Sequence, residues 1–353
     1  MKLSLKPGNS EILINKELKN ELLSTKNKID EFYNFKIRVN NRYQTSKWEY
    51  YRSLLNKYET IPKHKGKMNR AYFKLQEMMI DDENKFKKLK TVATLAEGPG
   101  GFIQYITDNY PDAQVYGITL RYESEQKAQN RHMKEFANKN VKIIYGDPDN
   151  PLHDGNLYNP DVVKSFAEQV GKVDLVTADG GFEASNENDK EIEHLKLFLS
   201  ETLTAFRVLK KGGSFILKIY DIFTRPTIEL LFLLSNTFKT VSLKKPVSSR
   251  PANSERYVVC HGFKNFDINE HVDLNKTYSS ILELTPTLKT KFQTFIYNLE
   301  IENQKYVQRV INTINEIVNY IQVNEQNNVE KKNKENEQQM YKEVWEKVYE
   351  KNN

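Results

Sequence analysis

Between about Gly66 and Phe266 the chain alternates short apolar runs with longer mixed stretches. Seven runs predict strands: Thr91–Leu95, Gln114–Ile118, Val141–Tyr145, Val173–Thr177, Ser214–Ile219, Thr240–Leu243 and Glu255–Cys260. The stretches 187–209 and 226–237 predict helices between them. Alternation of this kind implies an α/β fold, with a mostly parallel sheet covered on both faces and a ligand beyond the carboxyl ends of its strands. The flanks have a different texture. Leu18, Leu22, Leu23, then Ile29, Phe32, Tyr33 and Phe35, continued by Trp48, Tyr50, Tyr51 and Leu54, predict a helical N-terminal extension over residues 1–65. After residue 266, Val307, Val310, Ile311, Ile314, Ile317, Val318 and Ile321 form an amphipathic stripe. Residues 324–339 are almost without apolar side chains and read as a linker or an exposed helix. Met340, Val344, Trp345 and Val348 form a last short stripe in the 267–353 extension.

Composition narrows the picture slightly. With 353 residues, 38% of them hydrophobic, the chain has room for two or three domains of ordinary size. No run approaches the roughly 20 apolar residues of a membrane span, so no membrane partner is expected. The stretch MKLSLKPGNSEILINKELKN lacks the apolar core of a secretory signal. Cys260 is the only cysteine, which excludes an intrachain disulfide framework and a cysteine-cluster zinc site and suggests an intracellular compartment. Lysine and arginine number 53 against 47 aspartates and glutamates. The net charge of +6 favours a polyanionic partner, although charges so interspersed commonly form an ordinary solvated surface.

The candidate chemistry begins at Leu95-Ala96-Glu97-Gly98-Pro99-Gly100-Gly101, which follows an apolar strand and opens a helix. Glycines there let the backbone approach a ligand, and the helix start offers free N–H groups. A plain tight turn fits the same residues. Glu97 would repel a phosphate but accept from an amine or hydroxyl. The expected ligand therefore carries an amino group, a ribose and little negative charge, a description that S-adenosylmethionine meets. Asp147-Pro148, at the end of the third strand, adds a carboxylate for an adenine amine, or simply marks a turn.

Four ionisable residues interrupt apolar surroundings: Lys74 in a helical context, Asp179 at the end of the fourth strand, Lys218 within the fifth, and Glu255 at the start of the last. Snorkelling of the lysines and turn capping by Asp179 are the bland alternatives. Lys218 resists them best, because a strand buried on both faces has no water for an ammonium. Convergence of the four would be electrostatically self-consistent. Two neighbouring lysines shielded from water would lower a lysine pKa, the condition for a general base. No metal is needed, and no nucleophilic set of Ser/His/Asp or Cys/His type is visible.

The order Lys74, Asp179, Lys218, Glu255, together with Ala96-Glu-Gly-Pro-Gly-Gly-Phe102, Ala178-Asp-Gly-Gly-Phe182 and Ser249-Arg-Pro-Ala-Asn-Ser-Glu-Arg-Tyr-Val-Val-Cys260, resembles the FtsJ-type (RrmJ-type) ribose 2′-O-methyltransferases, and within them the cap-specific mRNA branch. The likeness covers roughly residues 66–265. It implies a Rossmann-like, S-adenosylmethionine-dependent domain over 66–266 that forms cap 1 on the first transcribed nucleotide. Lys218 would deprotonate the ribose 2′-hydroxyl, with Asp179 and Lys74 positioning it and Glu255 completing the set. Leu95 to Gly101 with Asp147 and Pro148 would hold the cofactor; Asn253 and Asn188-Asp189-Lys190 would contact capped RNA. Gly117-Ile-Thr-Leu-Arg121 departs from the fold's usual pattern by lacking an acidic residue for the cofactor ribose.

The same chemistry on ribosomal or transfer RNA is a second reading, and a non-catalytic capping scaffold a third. The intact set of four argues against the scaffold. The flanks would serve RNA capture, docking to other capping or transcription proteins, or dimerisation. Trp48, Tyr50 and Tyr51 would then be either core or a stacking platform for a methylated guanine. Expected locations follow: the nucleus, or the cytoplasm or virion if the Lys/Asn/Ile-rich chain is viral.

Overall fold

The computed structural model describes residues 1–39, 43–61, 66–121, 140–186, 188–268, 276–323 and 328–350. The chain divides into two units: Met1–Ile12, Lys67–Lys245 and Glu255–Phe295 form one, and Leu13–Gly66, Pro246–Ser254 and Ile296–Asn353 the other.

The first unit is built on a seven-stranded sheet. In spatial order its strands are Val141–Ile143, Gln114–Ile118, Thr91–Leu95, Val173–Ala178, Leu209–Ile219, Arg256–His261 and Thr240–Lys244. The first five run parallel. Arg256–His261 is antiparallel to both of its neighbours. The architecture is Rossmann-like, and all seven expected strands are present. The strand order reverses beside Thr91–Leu95, and the crevice at such a reversal is where open α/β sheets bind ligands. Central residues such as Val92, Leu175, Ile216 and Val258 have no exposure. Cys260 is buried in register with Phe215.

Two expectations are corrected in this unit. Residues 1 to about 60 were expected to be helical, yet Lys2–Pro7 is a strand, paired antiparallel with Tyr278–Glu283 in the other expected helical flank. Leu3 and Leu5 alternate with polar residues, a period of two too short to stand out against the helical stripe that follows. The buried Glu229 carboxylate supports this ribbon by accepting from the Ile281 and Leu282 N–H groups and the Ser280 hydroxyl. Phe292 and Phe295, at the start of helix Pro286–Val323, pack on Phe232.

The second unit carries helices Lys16–Asn34 and Lys47–Leu55, the later part of Pro286–Val323, and Asn328–Tyr349. A hairpin, Lys36–Val39 with Tyr43–Ser46, again replaces expected helix. Ser46 ends it and caps the next helix by accepting from the Glu49 N–H. Trp48 and Tyr51 are buried, Tyr51 against Tyr320, so both belong to the core. The stripe from Val307 to Ile321 is buried throughout. Residues 328–339 of the polar stretch are helical, and Gln338 donates to the Ser53 and Leu54 carbonyls. The remainder of that stretch, 324–327, lies outside the described residues.

Candidate active site

Topology explains how residues far apart in sequence meet. Asp179 and Lys218 stand at the carboxyl ends of parallel strands. The strand Arg256–His261 runs the opposite way, so its beginning, preceded by Glu255, arrives at the same edge. Lys74 comes from helix Arg70–Asp81, whose first turn is capped by Asn69 Oδ1 accepting from the Ala71 N–H at 2.9 Å. Lys218 Nζ donates to the Asp179 carbonyl at 2.6 Å and lies 3.3 Å from Asp179 Oδ1. Lys74 Nζ reaches both oxygens of Glu255, at 2.7 and 2.9 Å. The expected four thus form two ion pairs, Lys74 with Glu255 buried on both sides and Lys218 buried against a half-buried Asp179.

Tyr257 joins them. It is the direct cross-strand partner of Lys218, so the two side chains share a face of the sheet. Its hydroxyl donates to Asp179 Oδ1 at 2.7 Å, and Lys74 Nζ lies 5.9 Å from the centre of its ring. Sequence reasoning missed it, because a tyrosine in an apolar strand reads as core. The usable signal was its place directly opposite Lys218.

The electrostatics correct one expectation. The Lys218 pKa was expected to be lowered. Burial does act in that direction, but Asp179, followed by Tyr220 and Glu255, outweighs it, and the net shift is upward. Lys74 is occupied by Glu255 rather than set against Lys218. Burial pushes Glu255 upward as well, but Lys74, Lys218 and Lys245 hold its carboxyl well below the ordinary range. Burial, then Asp179, raises the Tyr257 hydroxyl. As described, Lys218 is an ammonium held in position by a carboxylate.

A cavity of about 410 Å³ opens beyond the strand ends, lined by Ala96, Gly98, Leu120, Tyr158, Gly181 and Phe182 among others. That volume falls within the range of small-molecule sites. Ala96 and Gly100 both have left-handed backbones, with φ of 52° and 113°. A Cβ on Gly101 would lie 2.1 Å from Asn69 Oδ1, so the bare backbone there lets the cap of the Lys74 helix fit against the turn. Glu97 Oε1 accepts from the Phe102 N–H at 2.7 Å, which makes it a cap for helix Gly101–Asn109 as well. Its Oε2 is buried without a hydrogen-bond partner, and burial, then Asp179, raises its pKa. Glu97 itself does not line the cavity, although its neighbours Ala96 and Gly98 do. The bare backbone of Gly98 and Gly181 in the lining fits close approach by a small ligand.

The remaining expected residues are distributed more widely. Leu95 is buried at the end of its strand. Asp147 and Pro148 are exposed; Asp147 donates its N–H to His153 and accepts from the Asp149 N–H in a local turn, and neither residue lines the cavity. Asp189 accepts from Asn186, and the Asn188 N–H donates to the same Asn186. Lys190 Nζ lies 4.7 Å from the centre of the Tyr220 ring. Asn253 belongs to the second unit, where it lies 3.5 Å from the Ser249 hydroxyl. Glu201, also missed by sequence reasoning, is fully buried and accepts from the Gly180 N–H at 3.1 Å. Its signal was a charge on the apolar stripe of Leu197, Phe198 and Ala205.

Residues 68–263 match the FtsJ-like methyltransferase family. The cap-specific mRNA (nucleoside-2′-O-)-methyltransferase 1 of Danio rerio is 37% identical over 175 residues, 47% of this chain and 21% of that protein. Its counterpart in Caenorhabditis elegans is 33% identical over 183 residues, 49% of this chain and 19% of that protein. The human counterpart is 35% identical over 180 residues, 49% of this chain and 21% of that protein. The matched stretch is thus about a fifth of the length of these relatives.

Proposed function

The chain belongs to the FtsJ-like methyltransferase family, and from that premise we propose that it methylates the ribose 2′-hydroxyl of the first transcribed nucleotide of capped mRNA. The observation that carries this reading is the Lys218 amine, held 2.6 Å from the Asp179 carbonyl at the edge where the cavity opens. The relatives' names supply the cap, and the net charge of +6 suits an RNA substrate.

S-adenosylmethionine, when bound, supplies an electrophilic methyl group and a positive charge that opposes the ammonium form of Lys218. Ala96, Gly98 and Leu120 would hold it, with the buried Glu97 between the first two capping the helix that follows the turn. Once its ammonium proton has passed to solvent, Lys218 Nζ would take the proton from the 2′-hydroxyl; the oxygen would gain the methyl group, and the carbon–sulfur bond of the donor would break with its electron pair left on sulfur. Asp179 keeps the amine in place, and its Oδ1, 3.3 Å from that amine, also accepts from the Tyr257 hydroxyl. Lys74, neutralised by Glu255, forms the second ion pair of the set. Positioning of this kind contributes up to ~7–11 kcal/mol in favourable cases, and general-base help about 10²–10⁴-fold.

The test is methyl transfer from labelled S-adenosylmethionine to short RNAs with and without a cap, followed by digestion and identification of the modified nucleoside. Capped RNA should acquire one 2′-O-methyl group on its first transcribed nucleotide. Equal transfer to uncapped RNA would point instead to ribosomal or transfer RNA. Lys218→Ala should abolish transfer while S-adenosylmethionine still binds in calorimetry; an active Lys218→Ala protein would remove Lys218 from the role of base.

A further inference from the structure

Glu201 stands outside the four residues that carry the proposed chemistry. Its carboxyl group has no exposure, it sits on helix Lys190–Val208, and one of its oxygens makes a single hydrogen bond. Glu201 Oε2 is buried without a hydrogen-bond partner. A carboxyl buried on one bond costs stability that an apolar side chain of similar size would not. What the bond achieves lies on the other side of Gly180.

The Gly180 N–H and the Asp179 carbonyl belong to one peptide unit. The N–H end is held by Glu201 Oε1 at 3.1 Å, and the carbonyl end receives Lys218 Nζ at 2.6 Å. A peptide unit is planar, so fixing its N–H direction also fixes its carbonyl direction. We propose that Glu201 is a positioning residue for the general base, aiming the Lys218 amine by orienting the Asp179–Gly180 peptide. The inference rests on the reading of Lys218 as that base.

Two further features support it. The helix that carries Glu201 is anchored at its start, where Glu191 accepts from the Phe223 and Thr224 N–H groups at 2.9 and 2.8 Å, just beyond the strand that bears Lys218. The glycine pair after Asp179 also fits the arrangement. A Cβ on Gly180 would lie 2.2 Å from Glu201 Oε1, and one on Gly181 would lie 3.1 Å from Lys218 Nζ. The first glycine admits the carboxyl group and the second leaves the amine approachable.

The experiment uses the full chain with wild type, Lys218→Ala, Glu201→Met, Glu201→Gln and Gly180→Ala, measuring kcat and KM separately and solving the Glu201→Met crystal structure. Glu201→Met should lower kcat on the order of 10²-fold, the scale of a misplacement near 1 Å. KM for S-adenosylmethionine and RNA should stay within about twofold, since ground-state binding is untouched. Glu201→Gln keeps the acceptor and should restore most of the lost kcat. In the Glu201→Met crystal the Asp179–Gly180 peptide should turn and the Lys218 amine should leave the Asp179 carbonyl. Wild-type kcat in Glu201→Met, no rescue by glutamine, or an unchanged Lys218–Asp179 contact would each overturn the proposal. If Glu201→Met does not fold, Gly180→Ala carries the test: it displaces the same carboxyl group, but its Cβ would also lie 2.9 Å from Ala96 Cβ and 3.0 Å from Leu197 Cδ2. A fall in kcat with KM for S-adenosylmethionine held within about twofold then supports the proposal, and a change confined to KM overturns it. An inactive wild type or an active Lys218→Ala would instead sink the base reading, and the crystal contact would still decide what Glu201 holds.

Discussion

Asp179 is the residue on which the site turns, because Lys218 and Tyr257 reach it from neighbouring strands. Tyr257→Phe removes one donor from a half-buried carboxylate while leaving the ring in place. The expected cost is about 1 kcal/mol of stability from the lost hydrogen bond. A similar loss in the transition state would lower kcat about fivefold, with KM little changed. Denaturant titration and steady-state kinetics on the variant would check both. At this scale the sequence was most informative where charge met apolar context. Lys74, Asp179, Lys218 and Glu255 stood out because a charge among Val, Ile, Leu and Phe needs a reason. Tyr257 did not, since a buried aromatic needs none. Neither did Glu201, one carboxylate among 47 acidic residues until its place on an apolar stripe is counted. The direction of the Lys218 pKa was also misjudged: sequence shows which charges exist, but not that Asp179 would be Lys218's nearer neighbour and Lys74 would be claimed by Glu255.

The elements that carry these residues are coupled at the glycine turn. Gly101 begins one helix, and Asn69 caps another, the one bearing Lys74. Because a Cβ at Gly101 would fall 2.1 Å from Asn69 Oδ1 and 3.0 Å from Ala71 Cβ, Gly101→Ala must displace the cap. Loss of a cap costs about 0.5–2 kcal/mol. The variant should therefore lose thermal stability and turnover together, which melting and methyl-transfer assays would show; unchanged values for both would exclude the coupling. The seven sheet strands were legible because each is a compact apolar run closed by turn formers. The ribbon of Lys2–Pro7 with Tyr278–Glu283 was not. Its strands are short and partly exposed, and each finds its partner more than 250 residues away. The hairpin at Lys36–Val39 and Tyr43–Ser46 was hidden for a related reason, lying between two helical stripes whose period dominated the reading.

Across the molecule, the buried acids set a pH dependence. Glu97, Glu191 and Glu201 are all fully buried with raised pKa values, chiefly through burial, and Glu201 is pushed up to about 8. The ordinary glutamate value is 4.5, so between pH 4.5 and about 8 the folded state keeps a proton on Glu201 that the unfolded state has lost. Stability from this group therefore falls as pH rises through that window, by up to ~1.4 kcal/mol per pH unit. Urea unfolding at several pH values should show the fall, and Glu201→Gln should make it shallower, the remainder coming from Glu97 and Glu191. The family match ends at residue 263, and the second unit draws on residues from both flanks and from 246–254, an interleaving that no linear division at 65 and 266 expresses. Finally, the lone thiol of Cys260 is sealed inside the sheet, and its burial raises its pKa further. Native protein should resist alkylation, and a cysteine placed at an exposed site such as Leu152 would take a fluorophore selectively, opening the chain to distance measurements by energy transfer without a cysteine-free background.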